Sequence, residues 1–382
     1  MAAGGQKDVR NQRVGLDIGS HTIKAVEVVE HASGLTIRAA GSAAIWQGGP
    51  RERSSDRCIL PQLIGSLWSS AKFESKSVLL SLPPNATYLK WLRMECADDE
   101  DLDNLARSAA VRGVPFPAED AIADYRILSR EATGSGNAYH VILAAASASA
   151  VDSAIDIVER AGLNLLAVDV GVSAALRSLE TEKSVGGALW SGQPRAHCIV
   201  GATSTSVGVM REGTLEFARA VPVGGNDLTQ CIADRLGLGF AEAEALKTSP
   251  SSRLMDEGTL VTSHNGADAQ IPMGSIIERL GREIARSLRF FSSQFAEGSY
   301  LGMTGTTTLS GGSSLLKGID TCLKRHGVDV TGIVNPFAGF TAEAEGSSVE
   351  QVGGHSTTYT TAMGLAIWDY WDRAVRFNLS AA

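Results

Sequence analysis

Val14-Gly15-Leu16-Asp17-Ile18-Gly19-Ser20-His21-Thr22-Ile23-Lys24-Ala25-Val26-Glu27-Val28 is the stretch that decides the fold. Val14, Leu16 and Ile18 alternate with Gly15, Asp17 and Gly19, the two-residue period of a strand with one buried face. After a short polar turn, Ile23 to Val28 starts a second strand-like run, and Leu35 to Ala40 forms a third beyond His31–Gly34. Three sequential runs joined by tight turns predict an antiparallel meander.

The first turn carries chemistry. A glycine between two strands lets backbone N–H groups approach phosphate oxygens, and Ser20 and Thr22 add hydroxyl donors to Gly19. Lys24 would add positive charge. Asp17, ending a buried strand, suits Mg²⁺ held through water, because this ion takes oxygen ligands and keeps several waters. The same octet would also serve as a plain hairpin in which Asp17 caps the turn.

The pattern recurs 182 residues later, with Gly19 laid on Gly201 and no gap. Cys198-Ile199-Val200 leads into Gly201-Ala202-Thr203-Ser204, followed by Ser206 to Met210, a turn at Arg211-Glu212-Gly213, and Leu215 to Ala220. Such a repeat predicts two related halves whose turns face one cleft. A third element, Leu309-Ser310-Gly311-Gly312-Ser313-Ser314-Leu315, runs from a strand end through bare backbone into a predicted helix, Leu315 to His326. Side-chain-free backbone lets an adenosine lie against the turn, and a helix start offers free N–H groups. A Gly-Gly turn in isolation would be an ordinary strand-to-helix connection.

Between the two copies the strand–helix–strand–strand–helix order of Ala86–Met94, Asp98–Arg112, Tyr125–Leu128, His140–Ala145 and Ala150–Ala161 predicts a small α+β insert, with Pro115-Phe116-Pro117 as a rigid corner. In the second half Leu228–Leu236, Ala241–Lys247 and Ser275–Phe295 read as helices, and Pro250–Gly274 as a loop or irregular hairpin. Glu278, Arg279, Arg282 and Glu283 on the last helix form a charged face.

The net charge of −8 over 382 residues argues against nucleic acid, which demands a basic excess. No stretch is long and apolar enough to span a bilayer, and Met1–Arg13 lacks the apolar core of a signal peptide. Five scattered cysteines and seven scattered histidines predict reduced thiols and no histidine metal site.

Taken together, two phosphate-type hairpins and a Gly-Gly entry in this order resemble the superfamily of actin, hexokinase and the heat-shock chaperones. Along nearly its whole length the chain is similar to PilM-type proteins of type IV pilus assembly. The matching phrases are Val14–Ser20, Val114-Pro115-Phe116-Pro117, Ala161-Gly162-Leu163, Val168-Asp169-Val170, Val223-Gly224-Gly225, Glu283–Phe291, Leu309–Gly312 and Asn335-Pro336-Phe337.

The resemblance implies an α/β actin-like ATPase fold: two ribonuclease H-like halves around a nucleotide cleft, with a small α+β inserted subdomain. On that plan residues 1–13 are a disordered tail, 14–85 the first half, 86–168 the insert for partner and protomer contacts, and 169–193 a return to the first half. Residues 194–346 are the second half, with 231–289 its outer subdomain, 347–361 a loop, and 362–382 a closing helix. ATP with Mg²⁺ is the implied cofactor. Asp17 (also for the metal), Gly19, Ser20, Thr22, Lys24, Gly201, Ala202, Thr203, Gly311, Gly312 and Ser313 are the implied binding residues.

The implied partner is the cytoplasmic tail of a PilN-like inner-membrane pilus protein. Self-assembly into a homo-oligomer, a cytoplasmic location peripheral to the inner membrane, and membrane contact only through the partner follow from the same resemblance. Many relatives carry an acid where Ile199 stands, and Gly171 occupies a position where a polarising acid would be sought; Asp169 is the nearby substitute or a strand-end cap. The expectation is nucleotide binding with weak or absent hydrolysis, since losing a positioned charge costs orders of magnitude in rate. Competing expectations are a small-molecule kinase of the same superfamily, an FtsA-like membrane filament protein using the aromatic tail Trp368–Phe377, and a secretion-system platform half.

Overall fold

The computed structural model describes residues 9–369 and Leu379, apart from 33, 46–58, 111, 135, 180–193, 212–213, 294–306 and 343–347. Residues 1–8 of the expected tail and 370–378 of the aromatic end lie outside the described residues.

The first lobe opens with the meander β1 (Val9–Ile18), β2 (Thr22–His31) and β3 (Gly34–Ala44), followed by α1 (Leu60–Ala71) and β4 (Ser77–Leu82). An insert follows: β5 (Thr87–Cys96), α2 (Asp99–Ala110), β6 (Ala121–Thr133) and β7 (Gly136–Ser147). The chain then returns through α3 (Ala148–Arg160), β8 (Asn164–Val170) and α4 (Gly171–Leu179). The insert is a three-stranded sheet, β5-β7-β6. Leu92, Met94, Tyr139, Val141 and Leu143 on one face cover Leu102, Ala106 and Ala110 of α2. Leu89, Trp91, Ile142 and Ala144 on the other join the first-lobe core, as the period of two in a strand requires.

The second lobe begins β9 (Arg195–Val200), β10 (Thr205–Arg211) and β11 (Thr214–Val221), then α5 (Gly225–Leu236) and α6 (Phe240–Lys247). A small sheet of β12 (Arg253–Leu254), β13 (Thr259–His264) and β14 (Ala267–Pro272) precedes α7 (Gly274–Ser292). Then come β15 (Thr307–Ser310), α8 (Ile319–Arg325) and β16 (Val330–Ile333). β17 (Thr341–Ala342), α9 (Ser348–Val352) and α10 (Thr360–Ala366) carry the chain back to the first lobe. Ile277, Leu280, Ile284, Leu288 and Phe291 recur on one face of α7 and are all buried. Each such side chain contributes about 1.5–3 kcal/mol on burial, so this stripe anchors the second-lobe core.

The two large sheets, β17-β3-β2-β1-β4-β8 and β11-β10-β9-β15-β16, each contain an antiparallel meander. The predicted repeat is visible in register: Ile18 faces Ile23 and, 182 residues on, Val200 faces Thr205. At the back, α4 and α10 cross tightly. A methyl group on Gly364 would overlap the carbonyl oxygen of Ala174, and one on Gly15 would overlap that of Ala362. Every residue of α10 is buried.

Several boundaries differ from expectation. β1 starts at Val9, inside the stretch read as tail, because Val9 to Arg13 pair with β2. The expected insert of 86–168 ends at Ser147, since β8 pairs in parallel with β4 in the first-lobe sheet and α3 packs against the same core. Pro250–Gly274 is the small sheet, and the described part of the expected loop, 348–361, is helical, with Val352, Thr357 and Tyr359 buried. Among the described residues the closing helix is regular over Thr360–Ala366. Beyond Gly311-Gly312 the chain makes a 3-10 turn, Gly312–Leu315, and α8 begins only after Gly318, whose φ of 87° breaks the run.

Candidate functional site

The site forms where the two meanders turn toward each other. In the first hairpin the Gly19 N–H donates to the Thr22 carbonyl at 3.1 Å, and in the second Gly201 donates to Ser204 at 3.0 Å. A Cβ would come within 2.9 Å of that carbonyl oxygen in both turns, so both require glycine for the same reason. The tips meet: Ser20 Oγ and Thr203 Oγ1 lie 3.1 Å apart. His21 also reaches across, its ring edge-on to Phe240 at the start of α6, with 6.2 Å between centroids.

The glycine pair joins the second hairpin. Gly311 has φ of 91°, and a Cβ there would come within 2.6 Å of the Val200 carbonyl oxygen. Gly312 is exposed with open space above its backbone. The Ser313 hydroxyl donates to the Gly201 carbonyl at 3.2 Å, so it holds two turns together. The start of α5 adds to this knot, with Gly225 N–H donating to Gly201 at 2.9 Å and Asn226 N–H to Ala202 at 2.7 Å. Ser20 and Thr203 thus meet at the facing tips, and Gly201, Ala202, Gly311 and Ser313 share one knot of contacts with Gly312 beside them. Asp17 and Lys24 lie on the two strands joined by the turn at Gly19, the second of which starts at Thr22.

Asp17 and Lys24 are cross-strand neighbours, each partly exposed. Burial pushes the Asp17 carboxyl above its usual range, opposed by Lys24 and by a 3.4 Å hydrogen bond from Ser81 Oγ. Burial likewise pulls the Lys24 ammonium down, opposed by Asp17. Each charge is thus costly where it stands and partly relieved by the other. In the second copy their counterparts are Ile199 and Ser206, so the charge pair belongs to one hairpin only.

Glu244 and Lys247 were not singled out from the sequence. Lys247 Nζ donates to the Gly225 carbonyl at 3.1 Å and Thr229 Oγ1 at 2.8 Å, and pairs with Glu244 at 2.6 Å. Burial lowers its pKa, opposed by Glu244. This buried cation stands behind the α5 start and the glycine turn. The Glu-x-x-Lys spacing on α6 and the Gly224-Gly225 pair were the available signals.

Asp169 is not a cleft group. Its carboxylate pairs with Arg177 at 2.8 Å, with both side chains fully buried. Arg177 also donates to the Gly364 carbonyl at 2.8 Å and lies 5.3 Å from the Trp368 ring centre. Asp169 therefore ties β8 to α4 and α10. Among the described residues no cluster of three or more metal-ligating side chains occurs.

A family model described as type IV pilus assembly protein PilM matches residues 15–370. The chain belongs to the PilM family. It is similar to a solved structure titled as the PilM-PilN type IV pilus biogenesis complex, at 25% identity and a TM-score of 0.75, covering 94% of this chain and 98% of that one. It also resembles the ethanolamine utilization protein EutJ from Carboxydothermus hydrogenoformans in fold, at 14% identity and a TM-score of 0.51, covering 94% of this chain and 89% of that one. The fold of this PilM family member is the actin-like ATPase fold. No helix among the described residues is long and apolar enough to cross a membrane.

Proposed function

We propose that this PilM family member binds ATP in the cleft between its lobes and docks the cytoplasmic tail of a PilN-like inner-membrane partner. The observation that carries the nucleotide reading is the 3.1 Å approach of Ser20 to Thr203, with Gly311-Gly312 packed onto the same hairpin. Hydroxyls and tight glycine turns from both lobes thus converge where a polyphosphate could be gripped. Exposed Gly312 offers a flat backbone surface to a purine nucleoside. The residues fit Mg²⁺ as the nucleotide's companion: Asp17 supplies one carboxylate, and this ion is commonly held by one or two carboxylates with phosphates and water. When bound, the ion would neutralise phosphate charge, while Lys24 and the two turns position the nucleotide.

Hydrolysis is weak or absent in this reading. Ile199 stands where the twin of Asp17 would be, Gly171 heads α4 without a side chain, and Asp169 is committed to Arg177. With Asp169 committed to Arg177, the same facts do not favour a kinase reading. The partner reading is supported by membership of the family and by likeness to a protein solved with PilN. In this reading the insert contributes to the docking groove, the chain self-associates, and it sits on the cytoplasmic face of the inner membrane through its partner. Titration of Mg-ATP followed by pull-down with a PilN-like amino-terminal tail tests both halves. Absence of adenine-nucleotide affinity would remove the first, and failure to retain the tail with or without nucleotide the second. Brisk turnover abolished by Asp17→Ala would overturn the hydrolysis reading.

A further inference from the structure

Two exposed faces of opposite charge, on α7 and α2, lie on opposite sides of the insert sheet. On α7, Arg279, Arg282, Arg286 and Arg289 recur at spacings of three and four, which puts them in one stripe, and all are exposed. Phe290 adjoins the stripe and is 54% exposed, a concentration of cation and apolar surface that stands out in a chain of net charge −8. Arg282 and Arg286 have only exposed pairs within the helix, to Glu278 at 2.5 Å and Glu283 at 3.7 Å, and Arg289 has no ion pair among the described residues. Such exposed pairs contribute little and leave the stripe available.

The other face is α2. Asp98 is used locally, its Oδ1 accepting from the N–H groups of Glu100 at 3.0 Å and Asp101 at 2.9 Å. The Glu100 and Asp101 carboxylates have no ion pair among the described residues, and Leu105, one turn beyond Asp101, is 43% exposed. Within one chain these faces cannot meet. α2 covers the face of the insert sheet that bears Leu92 and Met94, whereas Trp91 on the opposite face stacks on Phe217, which in turn touches Phe290. The sheet stands between them.

We propose that the α7 arginine stripe of one copy docks on the α2 face of a second copy, with Phe290 and Leu105 as the apolar centre. Arg279, Arg282 and Arg286 can exchange their partly exposed partners Asp227, Glu278 and Glu283 for the second copy. Arg289 on one face and Glu100 and Asp101 on the other find there the ion pair that they lack among the described residues. Because the two patches differ, the contact is head-to-tail and can propagate. The proposal rests on the self-association suggested above and names its surfaces.

Sedimentation velocity of the full chain, with and without Mg-ATP, tests it. At low salt the mass should rise with concentration, and about 0.5 M NaCl should reverse this as screening shortens to a few ångströms. General repulsion between chains of charge −8 would give the opposite salt trend. Arg286→Glu with Arg289→Glu, and separately Glu100→Arg with Asp101→Arg, should each weaken association by about 100-fold or more with unchanged melting temperature. Mixing the two variants in equal amounts should restore assembly, because each then presents the other's complement. A monomer under every condition would overturn self-association and the surface together. Association that survives both reversals, or that mixing fails to restore, would overturn the surface alone. Binding of the wild-type stripe to anionic vesicles without self-association would likewise refute it.

Discussion

Asp169→Asn separates a structural carboxylate from a catalytic one. The substitution keeps the volume of the side chain but removes the negative charge facing Arg177, which is fully buried and 2.8 Å away. Arg177 would keep its bond to the Gly364 carbonyl and its place beside Trp368, yet lose its buried counter-charge. Deleting one member of a buried pair costs about 3–5 kcal/mol, against about 1 kcal/mol for an ordinary hydrogen bond. Urea unfolding followed by circular dichroism should therefore show a loss of about 3–5 kcal/mol. Mg-ATP affinity, measured where the variant is folded, should stay within about twofold, a change of under 0.5 kcal/mol. Arg177→Met should cost a similar amount, and the double variant less than the sum, because no buried charge then lacks a partner. Wild-type stability combined with a large loss of Mg-ATP affinity in Asp169→Asn would place the carboxylate at the nucleotide and refute the reasoning.

Other outcomes follow from the same geometry. The folded-state pKa of Asp17 is raised, so its contribution to stability is full below the unfolded value near 3.8 and is lost as pH rises through the folded value. Asp17→Asn should thus match wild type in thermal melts near about pH 3, gain on it toward neutrality, and bind Mg-ATP at least about tenfold more weakly; a variant less stable at neutral pH would contradict this. His197 is buried between Thr308 and Ser310, and burial lowers its pKa from 6.5 to about 3. The native state then binds fewer protons, so stability is full above 6.5 and falls as pH drops toward 3, by about 3 kcal/mol at about pH 4. His197→Gln should flatten that decline in urea titrations, and an equally steep profile would count against it. At Gly225 a methyl group would collide with Ser313 Oγ and come within 3.1 Å of Lys247 Nζ. Gly225→Ala should weaken nucleotide binding about tenfold, roughly 1.4 kcal/mol, with partial recovery on adding Ser313→Ala; no change in affinity would dissociate the α5 start from the site.

The hairpins were legible because their chemistry is local. Gly19 and Gly201 are required by contacts within their own turns, and the repeat doubled a pattern that either copy alone leaves ambiguous. The insert boundary was not legible, because the apolar spacing of α3 and β8 is the same whichever sheet they join; only the pairing of β8 with β4 decides it. Val352 and Tyr359 are buried by the returning chain, a tertiary effect invisible in a polar stretch. Lys247 was missed because a lysine ending a short helix is usually solvated, and nothing nearby in sequence announces Gly225 as its acceptor. Asp169 was ambiguous until Arg177, eight residues on, was brought over it by α4.

The crossing of α10 with α4 and β1 also bears on how the molecule is made. The amino-terminal lobe is emerging from the ribosome long before Thr360–Ala366 have been translated, yet the face of β1 at Gly15 and the backbone of α4 at Ala174 are shaped to receive that helix. Until it arrives, an apolar surface waits in the open, and early closure around a wrong segment is the hazard such delayed contacts carry. Severing the chain between the lobes would accordingly leave the amino-terminal fragment without its last helix, so the two lobes cannot be treated as separately expressible parts.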